Sequence, residues 1–513
     1  MSGYKTTAIV FSLLIGIVNI HAQPAALSVI DTLDMKRNLS FIASEEMEGR
    51  SLGTEVDGLN KVADYLASNA QKLGLKPAAP GYFQKVGMIA SRPGKNNFVQ
   101  VINNRGKSLW RTRLLVEINS SENFREPKEL PVVMAGFGEN LSGIDFNGKA
   151  VVLSSGSKDI FERKIFRWNN RHEHAKIDSV TAKNPAAILI ITHPEDKHEK
   201  VFKQISAWFS RERYNLKPKE EQKEAPILLL LPEVADELLG GRGKYRKYLE
   251  DIVKSGDDQP VLVGDKMLKL KIGKQNQPID AKNVVAVLEG SDPKLKDECV
   301  VFMAHYDHLG VDENGEVYNG ADDNGSGTVT IMEIAEAFSK LDKKPKRSII
   351  FLWVTGEEIG LLGSNYYTEH PLFPLEKTAA CFNLDMVGRV FEKRDTVWNR
   401  SPKRVKDFDG IFALSNDVWP GLAEINQKYC KQLGLDPDTT LPSVFLRSSD
   451  HYHFHKNGVP ILNYATGYHA DYHKVSDELE KINFSKMKRV AELCFLVGLE
   501  VANRENITRI ETR

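Results

Sequence analysis

The sequence predicts an α/β protein built on a mixed, mostly parallel central sheet flanked by helices and interrupted by an inserted β-rich segment. Three observations predict it. From residue 283 onward, apolar runs of strand length alternate with stretches whose apolar residues recur at helical spacing, the pattern of strands joined by crossover helices. Between residues 86 and 275 the texture changes to short apolar runs separated by charged stretches. The 513 residues also exceed what one ordinary core holds, so more than one domain is expected.

Taken in order, residues 1–22 read as a cleavable secretory signal: Lys5 in a short polar region, a 13-residue apolar run over 8–20, and small residues at Ala22, Ala25 and Ala26. That run is shorter than the roughly 20 residues that span a bilayer. No later stretch is long and apolar enough to do so, and the mature chain is expected to be secreted or periplasmic, with no membrane span. Residues 27–85 open the main domain. Val62, Tyr65, Leu66, Ala70 and Leu73 stand at helical spacing after the polar loop over residues 44–50, which reads as two helices joined by a loop.

The insert, residues 86–275, carries strand-like runs at 131–134, 150–153, 187–191 and 227–231. The charged stretches 195–203 and 217–223 read as solvated faces or loops, and His172, His174, His193 and His198 lie in loop-like surroundings with no catalytic constellation. Residues 276–508 complete the main domain. Strands are predicted at 283–288, 299–304, 348–354, 379–384 and 459–464. Helices are predicted over 326–341, with a stripe of Val329, Ile331, Ile334, Ala335, Phe338 and Leu341, and over 484–497.

Composition narrows function by exclusion. Lys+Arg and Asp+Glu both number 69, so no basic excess exists to neutralise a nucleic acid or an anionic membrane surface. The four cysteines, Cys299, Cys381, Cys430 and Cys494, lack metal-binding spacing and read as buried thiols, with a Cys430–Cys494 bridge as the alternative.

The chemistry sits just after the strands. His305-Tyr306-Asp307 follows the second, Gly356-Glu357-Glu358 the third, Asp385 the fourth, and Gly467-Tyr468-His469-Ala470-Asp471-Tyr472-His473 the last. Between the first two of these groups, a Gly-rich turn over 320–327 holds Asp322 and Asp323 before a helix. In open α/β sheets, ligands bind beyond the carboxyl ends of the strands, so these acids and imidazoles converge. Several buried carboxylates repel one another and are penalised by desolvation; a pair of divalent cations resolves the conflict, and mixed N/O ligation suits zinc, cobalt or manganese.

These motifs, in this order and spacing, resemble those of the di-zinc aminopeptidases, the metallopeptidase family (clan MH) that also includes glutamate carboxypeptidase II. The opening loop, residues 41–50, resembles the family's, and residues 143–152 resemble its protease-associated insert. The resemblance implies a phosphorylase/hydrolase-like zinc peptidase fold and a secreted exopeptidase that removes N-terminal residues from peptides. It implies two zinc ions sharing Asp323, with His305 and Asp385 completing one shell and Glu358 and His473 the other. Glu357 becomes the general base and acid, Asp307 orients His305 through the ring's other N–H, and Tyr472 stabilises the oxyanion.

Each assignment has an ordinary competitor. Asp322 reads best as a helix N-cap. His451, His453, His455 and His469 compete with His473, which is preferred because Tyr472-His473 is followed by Ser476-Asp477 as in the family; His469 is left open between a supporting and a substrate-contacting role. His308 and Asp450 also lie near the motifs and read either as supporting the ligands or as structural. The alternative functions are a carboxypeptidase of the same family, a receptor-like binding protein without catalysis, and a glutaminyl-cyclase-like acyltransferase with one zinc. The complete set of ligands and base disfavours the second, and that set together with the insert disfavours the third.

Overall fold

The computed structural model describes residues 25–53, 57–119, 124–159, 171–194, 199–209, 211–218, 225–390, 408–440 and 443–510. The signal segment, residues 1–22, lies outside them. The chain divides into two compact units, Met1–Met88 with Ile279–Arg513, and Ile89–Pro278.

We label the strands β1 (Lys274–Leu288, in the first unit from Ile279 onward), β2 (Cys299–His305), β3 (Ser348–Val354), β4 (Thr378–Leu384), β5 (Gly410–Ser415), β6 (Asp436–Asp438) and β7 (Ile461–Ala465). Across the sheet they lie in the order β6-β5-β7-β4-β2-β3-β1. Direction is mixed. β2 runs parallel to both β3 and β4, and β4 parallel to β7, whereas β1 is antiparallel to β3 and β5 to β7.

Strands β2, β3 and β4 are buried along their whole length and mostly apolar, as strands covered on both faces are. Alternation along β2 divides the core. Cys299, Val301 and Met303 pack on one face with Tyr367 of α4 (Leu362–Glu369) and Phe454 of α6 (His451–Lys456). On the other face Phe302 stacks on Phe382 at 4.9 Å, and Phe338 of α3 (Gly327–Ser339) meets Phe495 of α7 (Phe484–Asn503) at 4.8 Å. Helices α1 (Thr32–Ile42) and α2 (Gly58–Lys72) complete the expected helical pair at the start of the chain.

Strand β5 and helix α5 (Pro420–Leu433) were not among the predicted elements. Their signals were local: Pro420 opens the helix, and Gly434 closes it in the left-handed region with φ 66°.

The second unit holds a sheet in the order Ser108–Thr112, Phe98–Asn103, Val261–Ile272, Phe124–Met134, Ala150–Ser154, Ala187–Ile191, Ile227–Leu230, Val116–Glu117. Ala150–Ser154 and Ala187–Ile191 pair in parallel, as do Ala187–Ile191 and Ile227–Leu230, and parallel neighbours need crossovers. Helices Arg171–Thr181 and Glu199–Phe209 occupy those crossovers. One loop expectation is thereby corrected: His174 stands on the first helix. Residues 199–203, expected as a solvated face or a loop, begin the second, whose Phe202, Ile205 and Phe209 pack on the sheet. Among the described residues no helix is long and apolar enough to cross a membrane.

Candidate metal centre

Because β3, β2, β4 and β7 share a direction, their carboxyl ends lie along one edge of the sheet. His305 is the last residue of β2, Glu357 and Glu358 follow β3 by a Gly356 turn, Asp385 follows β4, and the loop ending in His473 follows β7. Asp323 reaches the same place from the turn before α3. All of these residues but His473 are buried or nearly so, and the His473 side chain is 36% exposed.

The His305 Nδ1 lies 3.2 Å from the carbonyl oxygen of Asp307, to which it donates, leaving Nε2 with a free lone pair. That Nε2 is buried without a hydrogen-bond partner. It stands 3.4 Å from Asp323 Oδ1, 3.5 Å from Asp385 Oδ1 and 4.0 Å from Glu357 Oε2. On the other side of Asp323, Oδ2 lies 3.1 Å from His473 Nε2, which is also 3.1 Å from Glu358 Oε2. Zinc bonds of ~2.0–2.1 Å at tetrahedral angles place donor atoms about 3.3–3.4 Å apart, so these separations suit ligands converging on a cation. The donor groups His305, Asp323 and Glu358, and His305, Glu357 and Asp385, each lie within 4.8 Å of one another. The residues present therefore fit the zinc that the motifs imply.

Charge points the same way. Burial lowers the His473 imidazole, yet Asp323 and Glu358 outweigh it and lift the pKa to about 10; His305 is likewise lifted well above its ordinary value by Glu357, Asp323 and Asp385. Asp323 is held well below the carboxylate range, against burial, by its contacts with His305 and His473. The acids thus draw protons onto both imidazoles, positive charge that divalent cations on N/O ligands also supply. Glu357 differs from its neighbour. Burial, with Asp385, Asp450 and Glu358 adding repulsion, raises it well above the ordinary carboxylate value.

Asp307 is placed differently from the role the motif implied. Its carboxylate Oδ1 is 3.7 Å from His305 Nδ1, farther than its own carbonyl, and instead accepts the backbone N–H of Glu357 at 3.2 Å, with Oδ2 accepting that of Glu358 at 3.4 Å. It thus fixes the turn bearing both glutamates. Asp322 is not a helix cap: Asn324 Oδ1 takes the amide of Gly327, while Asp322 Oδ1 accepts from Gly388 at 2.7 Å and Oδ2 faces His469 Nε2 at 3.2 Å. His469 is buried, and its Nδ1 accepts the amide of Asp471. Tyr472 stacks on His473 with ring centroids 3.8 Å apart and meets Tyr468 edge-on at 4.6 Å. His451 is buried on α6 against the carbonyl of Phe445, with burial lowering its pKa to about 4.

Two further residues hold ligands in place: His308, in the supporting role that is one of its two readings, and Asp477, to which the sequence assigns no role of its own. His308 Nδ1 lies 2.7 Å from Glu358 Oε1, turning Oε2 toward His473. Asp477 Oδ2 accepts the amides of both Asp322 and Asp323 at 3.0 Å. The only sequence signal was proximity to the motifs.

Comparison with known proteins gives a consistent result. Residues 283–497 match the model of peptidase family M28. The chain is 29% identical over 232 residues to "Aminopeptidase YwaD" of Bacillus subtilis (strain 168), covering 44% of this chain and 46% of that protein. It is 30% identical over 200 residues to "Leupeptin-inactivating enzyme 1" of Streptomyces exfoliatus, covering 39% and 38%. These matches span less than half the length of either relative. In fold it resembles the solved aminopeptidase from Aneurinibacillus sp. strain AM-1, with a TM-score of 0.50 and 16% identity over 95% of this chain and 97% of that one.

Proposed function

We propose that this chain is an exported two-zinc exopeptidase, an aminopeptidase that removes N-terminal residues from peptides. The observation that carries the reading is Asp323, whose two oxygens face two different imidazoles, each with a second carboxylate beside it. His305 and Asp385 would hold one zinc ion and His473 and Glu358 the other, with Asp323 available to both. When bound, such a pair supplies Lewis-acid polarisation of the scissile carbonyl and acidifies the attacking water.

Glu357 Oε2 lies 4.0 Å from His305 Nε2, farther than the oxygens of Asp323 and Asp385, and its pKa is raised, as suits a base that must also act as an acid. It accepts the proton of the attacking water and returns it to the leaving amine, while Asp307 fixes its backbone. Tyr472, rigid against His473, is assigned to the developing oxyanion. The preference for aminopeptidase polarity draws on the names of the M28 relatives. Export draws on the apolar run over 8–20, and the reading of residues 86–275 as a protease-associated insert on residues 143–152 and on the separate packing of Ile89–Pro278.

The test is hydrolysis of aminoacyl-p-nitroanilides. Release of p-nitroaniline that a chelator abolishes and zinc restores, with N-acetylated substrates untouched, is the expected result. Zinc-loaded protein inert to every free-amine peptide, yet active on peptides through a free carboxylate, moves the assignment to a carboxypeptidase.

A further inference from the structure

Arg50 closes the opening loop, 255 residues before His305 in sequence, and its side chain is fully buried. Its Nε donates to the carbonyl of Tyr306 at 3.1 Å, one terminal nitrogen to those of Ile42 at 2.9 Å and Asn319 at 2.6 Å, and the other to that of Gly320 at 2.9 Å. Its own carbonyl accepts the amide of His308 at 3.1 Å. A single residue therefore ties down both the turn bearing His305 and the turn leading into Asp323. The approach is close: a Cβ on Gly49 would meet the carbonyl oxygen of Gly310 at 2.4 Å, and Arg50 itself is held at φ 49°, a left-handed conformation unfavourable for a residue with a Cβ.

Asp477 grips the same turn from the opposite polarity. Its carboxylate takes the amides of Asp322 and Asp323 and its carbonyl takes that of Ala321 at 3.1 Å. Consecutive carbonyls at 319 and 320 thus meet a guanidinium, and consecutive amides at 321–323 meet Asp477. Only a planar fork of donors satisfies carbonyls from three separate segments at once; an ammonium is a single point charge. Burial lowers the Arg50 pKa to about 10, against the pull of Asp323, Asp477, Asp307 and Glu358, so it remains a cation beneath the acids at neutral pH.

Resting on the two-zinc reading, we infer that Arg50 and Asp477 form a clamp that positions the zinc ligands, Arg50 setting the His305 turn against the Asp323 turn and Asp477 setting the Asp323 turn alone.

Arg50→Lys keeps the charge and removes the fork. Hydrogen exchange on zinc-free protein should quicken about 10–100-fold in peptides covering both 305–308 and 319–324, while strand peptides from Cys299–His305 upstream of the turn stay protected. Zinc affinity, read by chelator competition, should fall about 10–100-fold, with kcat reduced and KM for the peptide little changed. Folded Arg50→Lys protein with unaltered exchange in both segments overturns the clamp. If that variant does not fold, Asp477→Asn decides: exchange should quicken over 321–324 and not over 305–308, and both segments responding together, or neither, overturns the division of labour. Wild-type protein that takes up no zinc sinks the two-zinc reading instead, and the exchange result still decides the clamp.

Discussion

Asp323 in the first unit and Glu117 in the second are both buried acids, and they meet the same desolvation penalty in opposite ways. Glu117 is 6% exposed with the Asn97 amide as its donor, and burial lifts its pKa to about 7 despite that bond and the more distant Lys274 and Arg213. It solves its problem by keeping a proton. Asp323, 3% exposed, is pushed the other way by His305 and His473 and keeps its charge. Arg50, donating to the carbonyl of Gly320, and Asp477, accepting the amide of Asp323, hold the surrounding turn against its neighbours. A buried carboxyl that is free to take a proton is a structural group, whereas one held ionised among other acids is a group that expects a cation.

The largest effect that sharpens this contrast is expected at Asp323. Asp323→Asn removes the charge shared between the two halves of the site, and turnover should drop beyond the ~10²–10⁴-fold typical of losing a proton-transfer group, with bound zinc falling below two per chain by elemental analysis. Full zinc content in that variant would break the proposed sharing. Next comes Glu357→Gln, where kcat should fall ~10²–10⁴-fold while zinc content is retained. Retained turnover would remove Glu357 from the base role.

The contrast also explains what was legible in the sequence. Strand ends are local features, so the positions of His305, Glu357, Glu358, Asp385 and His473 could be read from apolar runs and the polar residues at their carboxyl ends. Asp322 was misread as a cap because capping is also a local pattern, while its actual partners, Gly388 and His469, are far along the chain. The bonds of His308, Arg50 and Asp477 were invisible for the same reason: Asp477 lies 154 residues from the amide of Asp323 that it accepts, and no periodicity encodes such a pairing. In the insert, helix Glu199–Phe209 was hidden because it begins inside a run of charged residues, Glu199, Lys200 and Lys203, that reads equally as loop.

A smaller effect tests the other half of the comparison. With Glu117 raised to about 7 when folded and an ordinary value of 4.5 when unfolded, the folded state holds more protons between those values. The stabilising influence of the protonated carboxyl is fully present below pH 4.5 and is lost as pH rises through 7, by about 3 kcal/mol in all. Glu117→Gln keeps an acceptor for Asn97 and cannot ionise. It should match wild type in urea titrations at pH 4 and exceed it by up to about 3 kcal/mol at pH 8. Equal stability at both pH values would mean that Glu117 is not buried as an acid.

The smallest effect asks whether retained charge belongs to the metal site or to the first unit as a whole. Cys299, Cys381, Cys430 and Cys494 are all free and buried in that unit, and burial pushes Cys299 and Cys430 up to about 12, with Cys381 and Cys494 also well above their ordinary value. They behave as Glu117 does, keeping their protons, in contrast to Asp323 between His305 and His473. A thiol held neutral is a poor nucleophile. Native protein at pH 8 should leave all four thiols unmodified by Ellman's reagent, and four should react after denaturation. A count of two in the denatured chain would reveal a Cys430–Cys494 disulfide, and rapid reaction in the native state would show that low polarity does not extend through the core beneath the ligands.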